Sequence, residues 1–229
     1  MMNMSNNTDR ISIQVGLSGY SFKLDTAGSS SSSSWQTADR VFTSPELQAE
    51  YGSVEISVFT PKCALVPEQF YDESAAYDLL KDVAEIGKDD VISAIEVPEF
   101  SSVLIYSSTI GETLSKVISE TVRKADGNKV KPLPELYYML ARLAVLTDYN
   151  KIVASYADGY LYLVIAQGKT LLLCNSYAAQ DFTTAEYFIF LAMKKLQLNP
   201  EVSSIYFRTS LTEDEELSLY RYFKSVEKI

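Results

Sequence analysis

The acidic side chains are the residues of this sequence that could do chemistry, and a dense group of them occurs at Thr212-Glu213-Asp214-Glu215. Carboxylates grouped in this way could bind a metal ion. The same residues match a capping box, in which Thr212 and Glu215 satisfy backbone amides at the start of a helix. Their charges then lie at the positive end of the helix dipole, with Lys224 and Lys228 near the other end. We therefore expect a terminal helix here, and a metal site is the less favoured alternative.

Other catalytic groups are scarce. Histidine is absent from the 229 residues, which excludes Ser-His-Asp and Cys-His catalysis and every metal site that needs histidine. The two cysteines, Cys63 and Cys174, form no Cys-x-x-Cys pair, so we expect two buried, reduced thiols. The stretch Gln167–Thr170 ends in the Gly-Lys-Thr of a phosphate-binding P-loop, but it joins two predicted strands instead of opening a helix.

The charge balance argues against nucleic acid as a partner. Thirty acidic residues against 20 basic ones give a net charge of −10, which repels a phosphate backbone, and the sequence contains no basic patch. Residues 1–10 are polar, without the apolar core of a secretion signal. The longest apolar runs, Tyr160–Ala166 and Tyr187–Met193, are far shorter than the roughly 20 residues of a membrane-spanning helix. We expect a soluble, cytoplasmic protein that does not insert into membranes.

Alternating apolar residues predict a β-hairpin at the beginning of the chain, formed by Arg10–Gly16 and Tyr20–Leu24. The serine run within residues 26–34 predicts a flexible loop, and a third strand is expected at Gln36–Phe42. Spacing and breaker residues predict further strands and helices. The strands are Val54–Phe59, Cys63–Val66, Val91–Val97 and Ser101–Ser107, and the helices are a short one from Ser44-Pro45-Glu46 to Gly52, Glu68–Ile86, Thr109–Ala125 and Pro134–Val145.

The second half of the sequence gives the clearest pattern. Asp158-Gly159 is a strong hairpin signal because the tight turn needs positive φ at both central residues. Three strands around this turn and the next, a helix, a fourth strand and the terminal helix give the order β-β-β-α-β-α. Their predicted bounds are Lys151–Tyr156, Tyr160–Ala166 and Thr170–Ser176, then Thr183–Leu196, and Ser203–Arg208 before the terminal helix.

This order resembles the ribonuclease H-like fold, and two such halves in succession resemble the actin-like ATPases. More specifically, the chain resembles a bacterial family of uncharacterised proteins with an actin-like ATPase fold. The resemblance implies an α/β protein of two ribonuclease H-like halves, each a mixed sheet that starts with antiparallel β-hairpins and is flanked by helices. The N-terminal half is expected at residues 1–130, a connecting helix at 131–150 and the C-terminal half at 151–229.

Actin-like ATPases hold Mg·ATP between their halves, with a hairpin turn of each half at the phosphates and an aspartate beside each turn to organise the metal. The family's first pattern, Asp-x-Gly-Ser/Thr-x, falls on residues 15–19, where Val15 or Gly16 replaces the aspartate. The second, Asp-x-Gly-x-Gly, falls on residues 155–159, where Ser155 replaces the aspartate and Ala157 the inner glycine. The resemblance therefore implies remnant phosphate turns, at Gly16, Ser18, Gly19, Ser155, Asp158 and Gly159.

A nuclease of the same fold is also disfavoured. Ribonuclease H chemistry needs several carboxylates around two metal ions. The corresponding places are Ser155, Glu186 and the stretch Tyr206–Thr209, which offer one acid at most.

These observations leave three hypotheses. The leading one is a non-catalytic scaffold or protein-interaction component that uses no cofactor and binds a protein partner or itself. The sequence contains 16 tyrosines, which are enriched at interfaces, and the terminal helix with Tyr220, Tyr222 and Phe223 is the first place to look. The alternatives are a divergent ATPase that uses ATP and magnesium between the halves, with Asp148 a candidate for the missing acid, and a binder of another small ligand there. Most of the tyrosines are equally explained as ordinary half-buried residues.

Overall fold

The structure is a computed structural model, and it describes residues 8–109 and 112–229. Its strands are β1 (Arg10–Val15), β2 (Tyr20–Thr26), β3 (Ser29–Ser32), β4 (Glu50–Tyr51), β5 (Ser53–Val58), β6 (Cys63–Pro67), β7 (Ile92–Val97), β8 (Ser102–Ser107), β9 (Arg123–Lys124), β10 (Leu133–Pro134), β11 (Asn150–Ala157), β12 (Tyr160–Gln167), β13 (Thr170–Ala178), β14 (Ser204–Phe207) and β15 (Ser225–Lys228). Its α-helices are α1 (Pro45–Gln48), α2 (Ala76–Lys81), α3 (Glu112–Thr121), α4 (Glu135–Val145), α5 (Phe182–Lys195) and α6 (Glu213–Tyr220).

The chain contacts divide these elements into two units. The first contains the described residues up to Thr60 together with Ser108–Pro134, and the second contains Pro61–Ser107 and Glu135–Ile229. This division differs from the expected halves at 1–130 and 151–229, with a connecting helix at 131–150. The segment 61–107 contacts β13 and α4, so it belongs to the second unit although it interrupts the sequence of the first.

The first unit contains a five-stranded sheet of order β10-β5-β1-β2-β3. β1 and β2 form the predicted antiparallel hairpin, β3 continues it, and β5 and β10 add in parallel. Alternation along β1 places Ile11, Ile13 and Val15 in the core, where Ile118 of α3 is also buried. The sheet therefore owes its buried face to the alternating pattern read from the sequence.

The serine run is not the predicted flexible loop. Ser29–Ser32 form β3, which pairs with β2 at the edge of the sheet. All four residues are exposed, and the hydroxyls of Ser29 and Ser30 bond to β2: Ser30 Oγ donates to Asp25 Oδ1 at 2.6 Å. An edge strand outside the core needs no apolar residues, which is why a serine run can form it. The prediction of a third strand at Gln36–Phe42 is wrong. Gln36 forms an isolated bridge with Tyr20, and a 3-10 turn follows it.

Several helices are shorter than predicted. The expected helix Glu68–Ile86 consists of 3-10 turns followed by α2, because the Asp72 carboxylate accepts from the Ser74 amide and starts the helical segment late. α1 ends at Gln48, before Gly52. α3 ends at Thr121 because the next residues pair with β4 as β9, and residues 110–111 of that prediction lie outside the described part of the chain.

The second unit contains a sheet of order β13-β12-β11-β14-β15. The three-strand meander is confirmed, with β14 and β15 added in parallel. Asp158 and Gly159 have φ values of 51° and 76°, as the predicted tight turn requires. Order and strand directions repeat those of the first unit, so both units have the ribonuclease H-like arrangement.

The terminal helix is also shorter than predicted, although its start is confirmed. Thr212 and Glu215 form the predicted capping box of α6. The helix ends at Tyr220, and Ser225–Lys228 form β15 instead of a last helical turn. Val226 of β15 joins the core, which accounts for a strand where a helix was predicted. Lys224 and Lys228 consequently do not lie at a helix end.

A three-stranded antiparallel sheet, β6-β8-β7, also belongs to the second unit. Leu80 of α2 packs on one of its faces against Ile105. Asp90 joins the residue before β6 to the end of β8: its carboxylate accepts from Lys62 Nζ at 2.5 Å and from Ser107 Oγ at 2.7 Å. The hydrogen bond from Lys62 is the largest of the effects that lower the pKa of Asp90.

Both cysteines are free, as predicted, and each is only partly exposed. Burial raises the pKa of Cys174 to about 12. Among the helices of the described residues, none combines the length and the apolar character that crossing a bilayer demands.

Candidate functional site

The first predicted phosphate turn joins β1 to β2 and is closed by its own backbone. The Gly16 amide donates to the Gly19 carbonyl at 2.9 Å, so this amide is already used inside the turn. Ser18 Oγ accepts a hydrogen bond from Trp35 Nε1 at 2.9 Å. Val15 is fully buried and carries no polar group, and Gly16 has no side chain. The turn brings Gly16, Ser18 and Gly19 together but supplies no carboxylate at the place of the family's aspartate.

Glycine is required at position 19 by space as well as by conformation. Its φ is +153°, and a Cβ there would lie 1.9 Å from the carbonyl oxygen of Gln36. The isolated bridge between Tyr20 and Gln36 fixes that carbonyl, since the Tyr20 amide donates to it at 2.8 Å. The glycine therefore has a structural explanation that needs no nucleotide.

Replacing Gly19 with alanine is expected to lower the free energy of unfolding by about 1–3 kcal/mol, because the new Cβ must displace the Gln36 backbone. Urea titration followed by circular dichroism measures the change. The control is Gly28→Ala, at a position where an added Cβ would meet nothing within 4 Å. Equal stability of the two variants would contradict the assignment of Gly19 to packing.

The second predicted phosphate turn is the β11–β12 hairpin. Asp158 and Gly159 form its tip, and the Gly159 carbonyl accepts from the Ala179 amide at 2.7 Å. The Tyr156 amide donates to Thr209 Oγ1 at 3.0 Å. The backbone on each side of the tip is thus tied to neighbouring elements of the same unit.

Ser155 is fully buried on β11, away from the hairpin tip, and its hydroxyl donates to Glu135 Oε1 at 2.7 Å. Arg208 follows β14, and its Nε donates to the same oxygen at 2.9 Å. The side chains of Glu135 and Arg208 are 0% and 5% exposed, and the Arg208 guanidinium lies 5.5 Å from the centre of the Tyr138 ring. A buried carboxylate therefore does lie beside the position of the missing aspartate, but an arginine neutralises it.

This Glu135–Ser155–Arg208 network was not predicted from the sequence. Glu135 follows Pro134 at the start of an amphipathic helix, where an acidic residue is ordinarily explained by the helix dipole. Its partner Arg208 is 73 residues further along the chain. Ser155 and Arg208 both donate to Oε1 of Glu135, so the charge of this carboxylate is already balanced inside the fold.

The Glu135→Ala variant is expected to lose about 3–5 kcal/mol of stability, because Arg208 keeps its buried charge without a carboxylate. Ser155→Ala, which removes one hydrogen bond to a charged group, should cost about 1.5–3 kcal/mol. Denaturant unfolding measures both. Lys23→Ala is the control, since it breaks an ion pair of 3.9 Å between partly exposed side chains that contributes about 0–1 kcal/mol. A cost for Glu135→Ala no larger than that of the control would show that the buried pair does not stabilise the fold.

Asp148, the acid suggested for the divergent ATPase, is also bonded to another side chain. Asp148 accepts a hydrogen bond from Tyr206 Oη at 2.7 Å. Burial and this hydrogen bond raise the pKa of Tyr206 to about 12. Among residues 8–109 and 112–229, no group of three or more His, Cys, Asp and Glu side chains is placed to hold a metal ion.

Aromatic side chains form two groups of contacting rings around α5 in the second unit, which we together call the aromatic surface and define as Tyr177, Tyr187, Phe188, Phe190 and Tyr222. Phe188 stacks on Tyr177 at 4.8 Å between ring centres and meets Tyr187 at 5.4 Å, and Phe190 meets Tyr222 at 4.8 Å. Tyr187 and Tyr222 are 60% and 52% exposed. The sequence predicts an interaction site at the terminal helix. Of the three aromatic residues named there, Phe223 is buried in the core, while Tyr220 and Tyr222 are exposed.

Two ribonuclease H-like sheets in one chain define the actin-like ATPase fold. A model of the family described as "Protein of unknown function (DUF3822)" matches residues 7–226, and the chain belongs to that family. The predicted resemblance to an uncharacterised family of this fold is confirmed.

Solved structures show the same fold. A Bacteroides thetaiotaomicron protein "with actin-like ATPase fold and unknown function" is 17% identical, with a TM-score of 0.66 over 100% of this chain and 94% of that one. The PilM-PilN type IV pilus biogenesis complex matches at 13% identity and a TM-score of 0.52, over 96% of this chain and 88% of the other. No curated protein matches the chain.

Proposed function

We propose that this chain is a non-catalytic protein of the actin-like fold that acts by binding a protein partner. The proposal rests on the residues that stand at the two positions where actin-like ATPases have an aspartate. Val15 and Gly16 occupy one of them, and Ser155 at the other is bonded inside the fold to a carboxylate that Arg208 neutralises. Phosphoryl transfer depends on carboxylates that are available to organise magnesium. These residues are instead used to hold the protein's own elements together.

The aromatic surface supports a protein partner. Exposed tyrosines bring large, rigid contact area at low entropic cost, and they are enriched in the residues that dominate binding energy. Tyr187 and Tyr222 are held by rings beneath them, so little order is lost when a partner covers them. The matched PilM-PilN complex is an assembly of two proteins, which adds support by analogy of fold alone.

Mg·ATP at millimolar concentration is expected to leave the melting temperature unchanged. A nucleotide at a hundredfold excess over its dissociation constant would stabilise the fold by about 2.7 kcal/mol. For a chain of this size such a gain corresponds to a rise of about 5–10 °C. Differential scanning fluorimetry with an ATP-binding protein of this fold as the positive control makes the measurement. A saturable rise that requires magnesium would favour the divergent ATPase and overturn the proposal.

A double substitution, Tyr187→Ala with Tyr222→Ala, is expected to weaken partner binding by about tenfold or more, since truncated hot-spot residues each cost upwards of 1 kcal/mol. The readout is quantitative mass spectrometry of proteins retained by the tagged full chain from cells of its own organism. The matched control replaces Tyr77 and Tyr149, which are 47% and 70% exposed and lie outside the aromatic surface. If the same proteins are retained by both double variants and the wild type, the aromatic surface is not the binding site.

A further inference from the structure

A groove of about 530 Å³ lies within the second unit, between β13 and the β6-β8-β7 sheet. On one side it is lined by four consecutive residues of β13, Leu171 to Cys174. On the other side it is lined by Leu65 and Pro67 of β6 and by the turn at residues 99–102. We call it the β13 groove. Its three leucines on β13 are only half-buried, so they are partly open to the groove, whose lining also includes polar residues such as Ser101 and Ser102.

The groove follows the edge of β13. In a strand, successive side chains point to opposite faces, so a cavity lined by four consecutive residues must run along the strand's edge. β13 is the last strand in the order β13-β12-β11-β14-β15, and in the described part of the chain it pairs with β12 on one side only. The outward backbone N–H and C=O groups of this edge therefore belong to no ladder, and they border the groove.

The β13 edge carries few of the devices that usually protect an exposed edge. Proteins block such edges with charged side chains, proline or very short strands. β13 has nine residues, and the segment that lines the groove is Leu-Leu-Leu-Cys. A device that β13 does carry is a bulge near Ala166, which leaves Leu172 without a partner on β12. The contrast with the polar edge strand β3 of the first unit marks this edge as one that can receive another strand.

The opposite wall restricts what can enter. Leu65 and Pro67 lie two apart on β6 and share one face of that strand, which provides an apolar surface across from β13. Two exposed charges, Lys169 and Glu99, also line the groove. Both lie toward its Pro67 end, since Pro67 pairs with Ser102 and the other end is closed where Ser176 Oγ donates to the Pro61 carbonyl. Ser101, which also lines the groove, has the left-handed φ of 47° that is uncommon outside glycine.

We propose that the β13 groove binds a short extended segment of a partner protein, which adds a strand to the edge of β13. Backbone hydrogen bonds to the free edge supply affinity, and apolar side chains on alternate positions of the segment fill the space against Leu65 and the leucines of β13. A negative charge in the segment faces Lys169 and a positive charge faces Glu99. The inference rests on the proposed protein-binding role, but it uses a site separate from the aromatic surface.

A second copy of the chain fits this groove less well. Pairing of two β13 edges would bring the whole neighbouring sheet with each strand. Because Leu65 and Pro67 wall the groove on the far side, it admits a single extended segment more readily than the edge of another sheet. The small-ligand hypothesis also fits poorly, since an open groove along a strand edge offers backbone groups in a row instead of a closed pocket.

The test begins with random short peptides displayed on phage and selected against the full-length chain. The best peptides are then synthesised with single backbone N-methyl groups placed at each position in turn. An added strand bonds to β13 through every second residue, so methylation at alternate positions should weaken binding by about tenfold, while the positions between them should change it by less than about twofold. Isothermal titration calorimetry measures each affinity.

Two charge reversals locate the bound peptide without disturbing the core. Lys169→Glu and Glu99→Lys, both at exposed positions, should each change the affinity of charged peptides by about threefold or more, with the opposite sign for peptides of opposite charge at that end. Lys88→Glu, at an exposed position outside the groove lining, is the control and should leave the affinity unchanged.

Three outcomes would overturn the inference. If none of the selected peptides changes affinity with Lys169→Glu or Glu99→Lys, the groove does not accept a strand. The same conclusion follows if methylation at every position weakens binding equally. Peptides that lose affinity only in the Tyr187/Tyr222 variant would place binding on the aromatic surface, so the groove would fail while the proposed function survives. A magnesium-dependent rise in melting temperature with ATP would instead remove the proposed function and leave the peptide result to stand by itself.

Discussion

The second unit depends on one buried charge. The Glu135 carboxylate lies where α4, β11 and the residue after β14 meet, and it receives both Ser155 and Arg208 on one oxygen. A carboxylate in this position could not remain charged without the guanidinium, because an isolated buried ion costs several kcal/mol. The pair therefore fixes the helix to the sheet beside Ser155, the residue in place of the family's aspartate.

The two turns that resemble phosphate turns are built in different ways. In the first, the Gly16 amide bonds to the Gly19 carbonyl, and the Gln36 carbonyl leaves no room for a side chain at Gly19. In the second, the hairpin tip is intact, but the residue in place of the aspartate is a buried serine. A chain that has kept both hairpins while replacing both acids has kept the part of the fold that packing requires.

How much of this could be predicted depends on whether the deciding contacts are local. The hairpins and the capping box at Thr212 were predicted because each is specified by neighbouring residues. β3 and β15 were missed because a serine run and the chain's last residues become strands only through a neighbouring strand. Glu135 was missed for the same reason, since nothing near it in the sequence indicates Arg208. The exposed Tyr222 and the buried Phe223 are adjacent, so only tertiary packing separates a surface residue from a core residue.

The interruption of the first unit by residues 61–107 constrains how the protein can be made. β5 ends at Val58, and its outer partner β10 begins only at Leu133, after a long segment that packs elsewhere. During synthesis the first sheet cannot be completed until that segment has emerged, and the segment must then wait for α4 and β13 before its contacts with them exist. Closing such long loops is slow, and apolar surface stays uncovered in the meantime. No single cut in the chain separates the two units, so expressing the first alone requires bridging residues 61–107, and expressing the second alone requires bridging residues 108–134.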